Sequence, residues 1–476
     1  MASEAQQGIT VKKSEDMPEW YSQVVLKAEL ADYSPVRGCM VIRPYGYAIW
    51  QRVMDFFNER IAKRGVQNAY FPLFIPESFF EREKEHAKGF EPEVAWIANK
   101  DEEERLAVRP TSETIMYDSY SRWIRSWRDL PLRINQWCNI VRWEVKDVKP
   151  FLRSREFLWQ EGHCVYETEK ETDKETLLYL DEYRRILEEL LAVPVLLGYK
   201  TEKEKFAGAK WTSTIEAFMP DGKALQCGTS HNLGQNFARA FDIKYLGRDE
   251  KYHMPWQNSW GLSTRVIGAM IMTHSDDKGL VLPPRAAPVQ VVIVPILFNE
   301  TKERVLAECK KLKKSIKAIV HLDDRDEYSA GWKFNDWEMR GVPIRIELGP
   351  KDLEQRHCIV VRRDTGRKET VVIAELNKRI KELLKEIQQS LFERAKKYLD
   401  DSIIECYEWD SFMSGIQARR LVKTSFCGET ECEDWIKDKT GGATSRLIPL
   451  KSGKPDKKCV HCGKEGGVYT YFSKSY

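Results

Sequence analysis

Near the C-terminus four cysteines stand in two short-spaced pairs, Cys427-x4-Cys432 and Cys459-x2-Cys462, with 26 residues between the pairs. Thiolates at such spacing suit a tetrahedral zinc ion. Gly428 and Gly463 follow two of them and permit tight turns. Four protein thiolates leave no open coordination position, so the site reads as structural; a disulfide, or His461 in place of one thiol, is the competing reading. A second constellation carries charge. Arg142-Trp143-Glu144 precedes a loop and then Arg153-Ser154-Arg155-Glu156-Phe157. The chain has no GxxxxGK[ST] phosphate loop, so any nucleotide must be held by side-chain cations. Strand alternation would put Arg142 and Glu144 on one face, where the guanidinium can fork onto a phosphate and the carboxylate can accept from an amine. The turn would bring Arg153 back opposite, and Phe157 could stack on a purine. A surface ion pair is the plain alternative for such an Arg-x-Glu pair taken alone.

These groups need elements to hold them. NAYFPLFIP (68–76) reads as a strand ended by prolines, and RINQWCNIVRWEV (133–145) and SREFLWQEGHCVYE (154–167) as aromatic-rich strands. The apolar spacing of 171–193 predicts a helix. Such alternation suits an antiparallel sheet with packed helices. The prolines of VLPPRAAP (281–288) mark a boundary. Beyond it, strands at 289–296, 318–324, 342–348 and 356–364 alternate with helices at 300–316 and 333–341, which predicts a compact α/β domain of about 100 residues. A long charged helix, 373–401, leads into the cysteine-bearing region.

Bulk properties narrow the class. The 476 residues suffice for roughly two to four domains. The N-terminal twenty residues are polar with no apolar signal core, and no apolar run approaches the roughly 20 residues that a bilayer span needs. A cytoplasmic location and no membrane partner are expected. Net charge is +3, unevenly spread: residues 285–476 hold 37 Lys+Arg against 30 Asp+Glu, and residues 1–284 hold 39 against 43. A basic C-terminal part could meet a phosphate backbone, or be no more than solvated helix faces. Eleven cysteines in a chain without a secretory signal argue for thiols and a metal site rather than a disulfide framework.

On these motifs the sequence closely resembles the prolyl-tRNA synthetases, class II aminoacyl-tRNA synthetases of the archaeal/eukaryotic type, over nearly its whole length. The segment 141–163 resembles class II motif 2. RGVQNAYFPLFIP (64–76), with Pro72 closing its strand, looks like motif 1, the dimer-forming element. NSWGLSTRVIGAMI (258–271), with Arg265 entering a helix, looks like motif 3; Ser263 stands where glycine is frequent in the class, a departure that the prolyl branch shares. LAVRPTSET (106–114) and LQCGTSHNLGQNF (225–237) are further matches. No HIGH or KMSKS signature of the class I synthetases is present.

The resemblance implies an α+β catalytic domain on an antiparallel sheet (1–284, the class II synthetase fold), an α/β anticodon-binding domain (285–384) and a small α+β zinc-binding C-terminal domain (385–476). It implies a proline–tRNA ligase, active as a homodimer, that makes prolyl-adenylate from L-proline and ATP with Mg²⁺ and passes the prolyl group to tRNA(Pro). ATP would be held by Arg142, Glu144, Arg153, Ser154, Phe157, Gln226, Thr229, Ser263 and Arg265, with Arg142 and Arg265 catalytic. Proline would be held by Thr111, Glu113, Arg142, Trp159, Glu161, Phe206, His231 and Ser263. Without the resemblance, TSET reads equally as a helix capping box. Glu338, Arg345, Lys351 and Asp352 would read anticodon guanines, although a turn with a surface ion network is the plain alternative. Cys427, Cys432, Cys459 and Cys462 would hold zinc, and Tyr476 would reach toward the active site. About 100 residues separate Phe157 from Gly261, too few for the editing insertion of bacterial-type relatives. Two other readings stay open: a class II synthetase for threonine or glycine, and a synthetase-like proline-binding regulator without aminoacylation activity.

Overall fold

The computed structural model describes residues 8–80, 93–98 and 104–476. Its dominant element is an eleven-stranded sheet. Leu132–Val141, Glu156–Tyr166, Trp256–Ser263, Ala224–Gly234, Trp211–Phe218 and Leu196–Tyr199 pair antiparallel in that spatial order. These strands are rich in branched and aromatic residues, which favour a pleated, half-buried surface. One face carries the functional groups. The other packs on the helix Glu169–Arg185, whose Thr168–Glu171 capping box satisfies its first free N–H groups. Tyr179 of that helix stacks on Trp260 at 4.1 Å, and Tyr183 hydrogen-bonds to Gln160. Side chains from the expected helix at 171–193 thus lock two central strands from behind.

Three expectations shift. Arg142–Glu144 does not continue a strand. The strand ends at Val141, and Val145 N–H donates to Arg142 O, closing a turn that leaves Glu144 exposed. Residues 68–76 form no single strand either. Gln67–Asn68 pairs parallel with Leu132–Val141, while Phe74–Pro76 pairs with Leu106–Val108. Between them Pro72 has no N–H for a ladder, and the chain is held by side chains instead: Gln136 accepts from Phe71 N–H, and the buried Arg109 donates to Phe71 O at 2.8 Å and Asn139 O at 2.9 Å. The expected boundary at 384/385 falls inside one helix, Leu376–Ser402.

The predicted α/β region forms a five-stranded sheet, with Val320–Leu322, Val291–Pro295 and Ile344–Leu348 parallel, His357–Arg362 antiparallel to Ile344–Leu348, and Lys368–Val372 antiparallel to His357–Arg362. Its Arg363 grips Asp276 with two hydrogen bonds of 2.8 and 2.6 Å. The C-terminal strands Ile403–Glu405, Leu421–Phe426, Val468–Ser473 and Thr444–Pro449 do not form a sheet of their own. Ile448 and Pro449 pair with Tyr199 and Gly198, so they extend the main sheet. Among the described residues no helix is long and apolar enough to cross a membrane.

Gly162 sits between Glu161 and His163, where an added Cβ would overlap the Trp260 indole. Gly162→Ala is expected to lower unfolding stability by about 1–3 kcal/mol in urea melts, the usual cost of overpacking a tight core.

Candidate active site

The sheet's open face carries a cavity of about 280 Å³ whose walls include Thr111, Glu113, Arg142, Phe157, Trp159 and Glu161, and further Phe206, Gln226, Thr229, His231, Ser263 and Arg265. At one end the charge is positive. Arg265 begins the helix Arg265–His274; its Nε donates to Leu152 O at 3.0 Å and its Nη1 to Gln226 O at 3.3 Å. Burial lowers the pKa of its guanidinium, and repulsion from Arg142 and Arg153 adds to the effect while Cys227 and Glu216 oppose it. Arg265 therefore feels both other guanidinium groups. Arg142 lies 5.6 Å from the Phe157 ring and 5.9 Å from the Trp159 ring. The residue paired with Arg142 across the hairpin is Arg155, whose carbonyl accepts from Arg142 N–H at 2.7 Å; Arg153 is exposed, two residues further into the loop.

The other end is acidic. Glu113 and Glu161 are both buried. The Thr111 hydroxyl donates to Glu113, and Ser112 donates to Glu161 instead of capping the helix Glu113–Trp123, whose N-cap has no side-chain bond. The capping-box reading of TSET thus fails. Glu161 also accepts from Gln136 Nε2 at 3.0 Å and faces His163 Nε2 at 3.1 Å. Burial disfavours its charge, but the hydrogen bonds and charge of His163, with those of Ser112 and Gln136, outweigh it and hold the carboxyl below its ordinary pKa. His163 is raised in turn, burial being overcome by Glu161 and Glu113.

Gln226 and Thr229 are three positions apart, which in a regular strand would put them on opposite faces. The register shifts between Gln226 and Gly228: Gln226 faces Glu216, Gly228 faces Ile215, and Cys227 is the extra residue. This bulge brings Gln226, Thr229 and His231 to the cavity together. His231 is held between two threonine hydroxyls, Thr212 at 2.9 Å and Thr229 at 3.0 Å, with its ring 4.7 Å from that of Phe206. Burial, with a smaller repulsion from His163, pushes its pKa down to about 3, so the ring is neutral.

Residues 94–274 match the class II tRNA synthetase core domain (G, H, P, S and T), residues 290–383 the anticodon binding domain, and residues 409–476 the prolyl-tRNA synthetase C-terminal domain. Over 472 residues, 98% of this chain and 97% of the relative, it is 49% identical to Proline--tRNA ligase 2 of Clostridioides difficile (strain 630). The chain belongs to the proline–tRNA ligase family. A member from Natranaerobius thermophilus is 49% identical over 98% of this chain and 97% of its own. One from Alkaliphilus oremlandii is 50% identical over 97% and 96%.

For a proline–tRNA ligase family member, some expected residues lie outside the cavity. Glu144 is turned out to solvent, and Ser154 is buried with its hydroxyl donated to Glu156 O at 2.7 Å. In the anticodon-binding domain, Glu338 and Arg345 border one depression. Arg345 also bonds Glu347 at 2.8 Å and Glu338 meets Lys278 at 3.1 Å. Lys351 and Asp352 lie apart from them, past the opposite end of the Ile344–Leu348 strand, and Asp352 is engaged by Gly349 N–H at 2.8 Å and His357 at 3.0 Å. Residues that the sequence did not single out include His163, Ser112, Gln136 and Lys200. His163 was findable, two positions from Glu161 on one strand face, and so was Ser112, between Thr111 and Glu113; Gln136 and Lys200 come from other segments with no local signal.

The sulfur atoms of Cys427, Cys432, Cys459 and Cys462 all lie within 4.8 Å of one another. Tetrahedral zinc with bonds of about 2.3 Å asks for sulfur separations of about 3.8 Å, so the four thiols fit the ion. His461 is a neighbour, its ring 3.8 Å from Trp435 and its Nδ1 3.2 Å from Cys432 Sγ. Tyr476 hydrogen-bonds Asp221 at 2.7 Å and lies beside Lys149 and Lys223, next to the 146–153 loop but not in the cavity wall.

Elemental analysis is expected to find about one zinc per chain, and markedly less in Cys459→Ser, with the fold of the C-terminal strands weakened. His231 has a folded pKa of about 3 against 6.5 for a free imidazole. The folded state therefore takes up this proton less readily. The stability so conferred is complete above pH 6.5 and declines as pH falls toward 3. In a histidine NMR titration the His231 resonance should stay fixed from pH 8 down to about pH 5; a midpoint near 6.5 would contradict the buried geometry.

Proposed function

We propose that this chain is a proline–tRNA ligase whose cavity forms prolyl-adenylate and whose anticodon-binding domain selects tRNA(Pro). The observation that carries the reading is a cavity with two charged ends, cationic at Arg142 and Arg265, with Arg153 on the adjoining loop, and anionic at Glu113 and Glu161. A free amino acid is a zwitterion. In this field its ammonium turns to the carboxylates and its carboxylate to the arginines. Proline's secondary ammonium has two hydrogens, suited to a carboxylate and the Thr111 oxygen. Trp159 and the Phe206–His231 ring pair supply apolar walls for its pyrrolidine, and a neutral His231 adds no cation beside the ammonium.

ATP would lie with its α-phosphate at Arg142 and its outer phosphates at Arg153 and Arg265, and with its base against Phe157. The proline carboxylate attacks the α-phosphorus in line, the bond to the leaving oxygen breaks, and pyrophosphate departs. No protein nucleophile is required; positioning and charge stabilisation do the work. Gln226 and Thr229 would bind the nucleotide and its Mg²⁺, which supplies further neutralisation of the triphosphate. The terminal adenosine hydroxyl of the tRNA then attacks the prolyl carbonyl, losing its proton; the bond from that carbonyl to the phosphate oxygen breaks and AMP departs. The depression that Glu338 and Arg345 share supports these two as anticodon contacts. The four cysteines would hold structural zinc. Tyr70 and Phe74, 73% and 46% exposed on the 64–76 segment, support dimerisation there. The tRNA substrate and the free thiols fit the cytoplasm. No feature of the site favours a proline-binding regulator without catalysis.

Amino-acid-dependent pyrophosphate exchange over all twenty amino acids should show strong dependence on proline. Arg265→Ala should reduce that exchange by about 100-fold or more, the scale of losing a charge-stabilising donor. Threonine or glycine dependence, or near-normal exchange in the variant, would refute the assignment.

A further inference from the structure

One wall residue of the cavity is tied to the C-terminal unit. Lys200, whose side chain is 3% exposed, stands in the cavity wall and donates to Glu216 at 2.8 Å. Glu216 also receives Arg446 of the C-terminal unit at 2.9 Å, and the Arg446 carbonyl accepts from the Lys200 ammonium at 3.0 Å. The adjoining residue, Thr201, donates to Glu433 at 2.9 Å, and Ser445 donates to the other oxygen of Glu433. Glu433 follows Cys432, one of the four clustered thiols. On the opposite side, Glu216 pairs across the sheet with Gln226, whose carbonyl holds Arg265.

We infer that Arg446 is a positioning residue for the nucleotide end of the active site, acting through Glu216 and tying that end to the cysteine cluster. The inference rests on the proposed ligase activity. Arg446 neutralises Glu216 and keeps it turned toward the C-terminal unit. Without that partner, Lys200 and Thr214 still hold one oxygen of Glu216, but the other is left buried and bare, one strand away from the backbone that seats Arg265, and after Lys200 that guanidinium is the cation of the nucleotide end open to it. Buried networks of this kind respond as units when one member is removed. The acidic proline end is built from Thr111, Glu113, Glu161 and His163, none of which touches the network.

The full-length chain with Arg446→Met should therefore show an ATP KM raised about tenfold in proline-dependent pyrophosphate exchange, with the proline KM changed less than about twofold. Arg446→Lys, which restores the charge, should return the ATP KM to within about threefold of the parent. Zinc content and circular dichroism should match the parent. An unchanged ATP KM, an equal rise in both KM values, or no recovery in Arg446→Lys would overturn the inference. Should Arg446→Met fail to fold, Thr201→Val removes only the hydroxyl held by Glu433. An ATP KM raised about threefold then supports the coupling, and an unchanged one overturns it. Absence of proline-dependent exchange in the parent chain would sink the functional reading itself, a result distinct from any of these.

Discussion

Like charges repel, and Arg142 and Arg265 must nevertheless be kept at one end of a single cavity, with Arg153 exposed on the loop beside it. The protein manages this with groups that carry no net charge. Carbonyls of Leu152 and Gln226 fix Arg265, and the faces of Phe157 and Trp159 lie against Arg142. Neutral partners hold Arg142 and Arg265 in place while leaving their charge available to a polyanion. Much of the remaining architecture serves that requirement. The strands carrying Phe157, Trp159 and Gln226 are pinned from behind by the Tyr179–Trp260 stack and by Tyr183, so the positive end rests on a rigid floor.

The acidic end solves the mirror-image problem by a different route. Glu161 is ionised in the interior because Ser112, Gln136 and His163 converge on it. The third member of this chain is oriented by Tyr117, whose hydroxyl meets His163 Nδ1 at 3.0 Å. Glu161 stands on a strand of the sheet, while Arg142 follows a strand end and Arg265 and Glu113 open helices, so the separation of anion and cation is set by where these elements meet the sheet.

Most of the residues around the cavity were legible in the sequence, because strand alternation and motif likeness point to side chains that share a face. The bulge at Cys227 was not, since nothing in LQCGTSH announces an unpaired residue; without it Gln226 would face the helix and not the cavity. The interrupted strand near Pro72 was misjudged for a related reason. An apolar run looks like a strand whether its N–H groups meet a ladder or, as with Phe71, a glutamine side chain. Glu144 went astray because alternation was carried past the last ladder residue. Asp352 was read as a base contact although its carboxylate caps a turn and pairs with His357. Residues such as Lys200 and Arg446, 246 positions apart, meet only in three dimensions.

The C-terminal strands share a ladder with Leu196–Tyr199, and this has a practical corollary for anyone who wishes to shorten the chain. Cutting before Ile403 would leave that strand with a bare row of N–H and C=O groups on one side. Such a row is a template for another copy's strand. The truncated protein would be expected to self-associate along this seam.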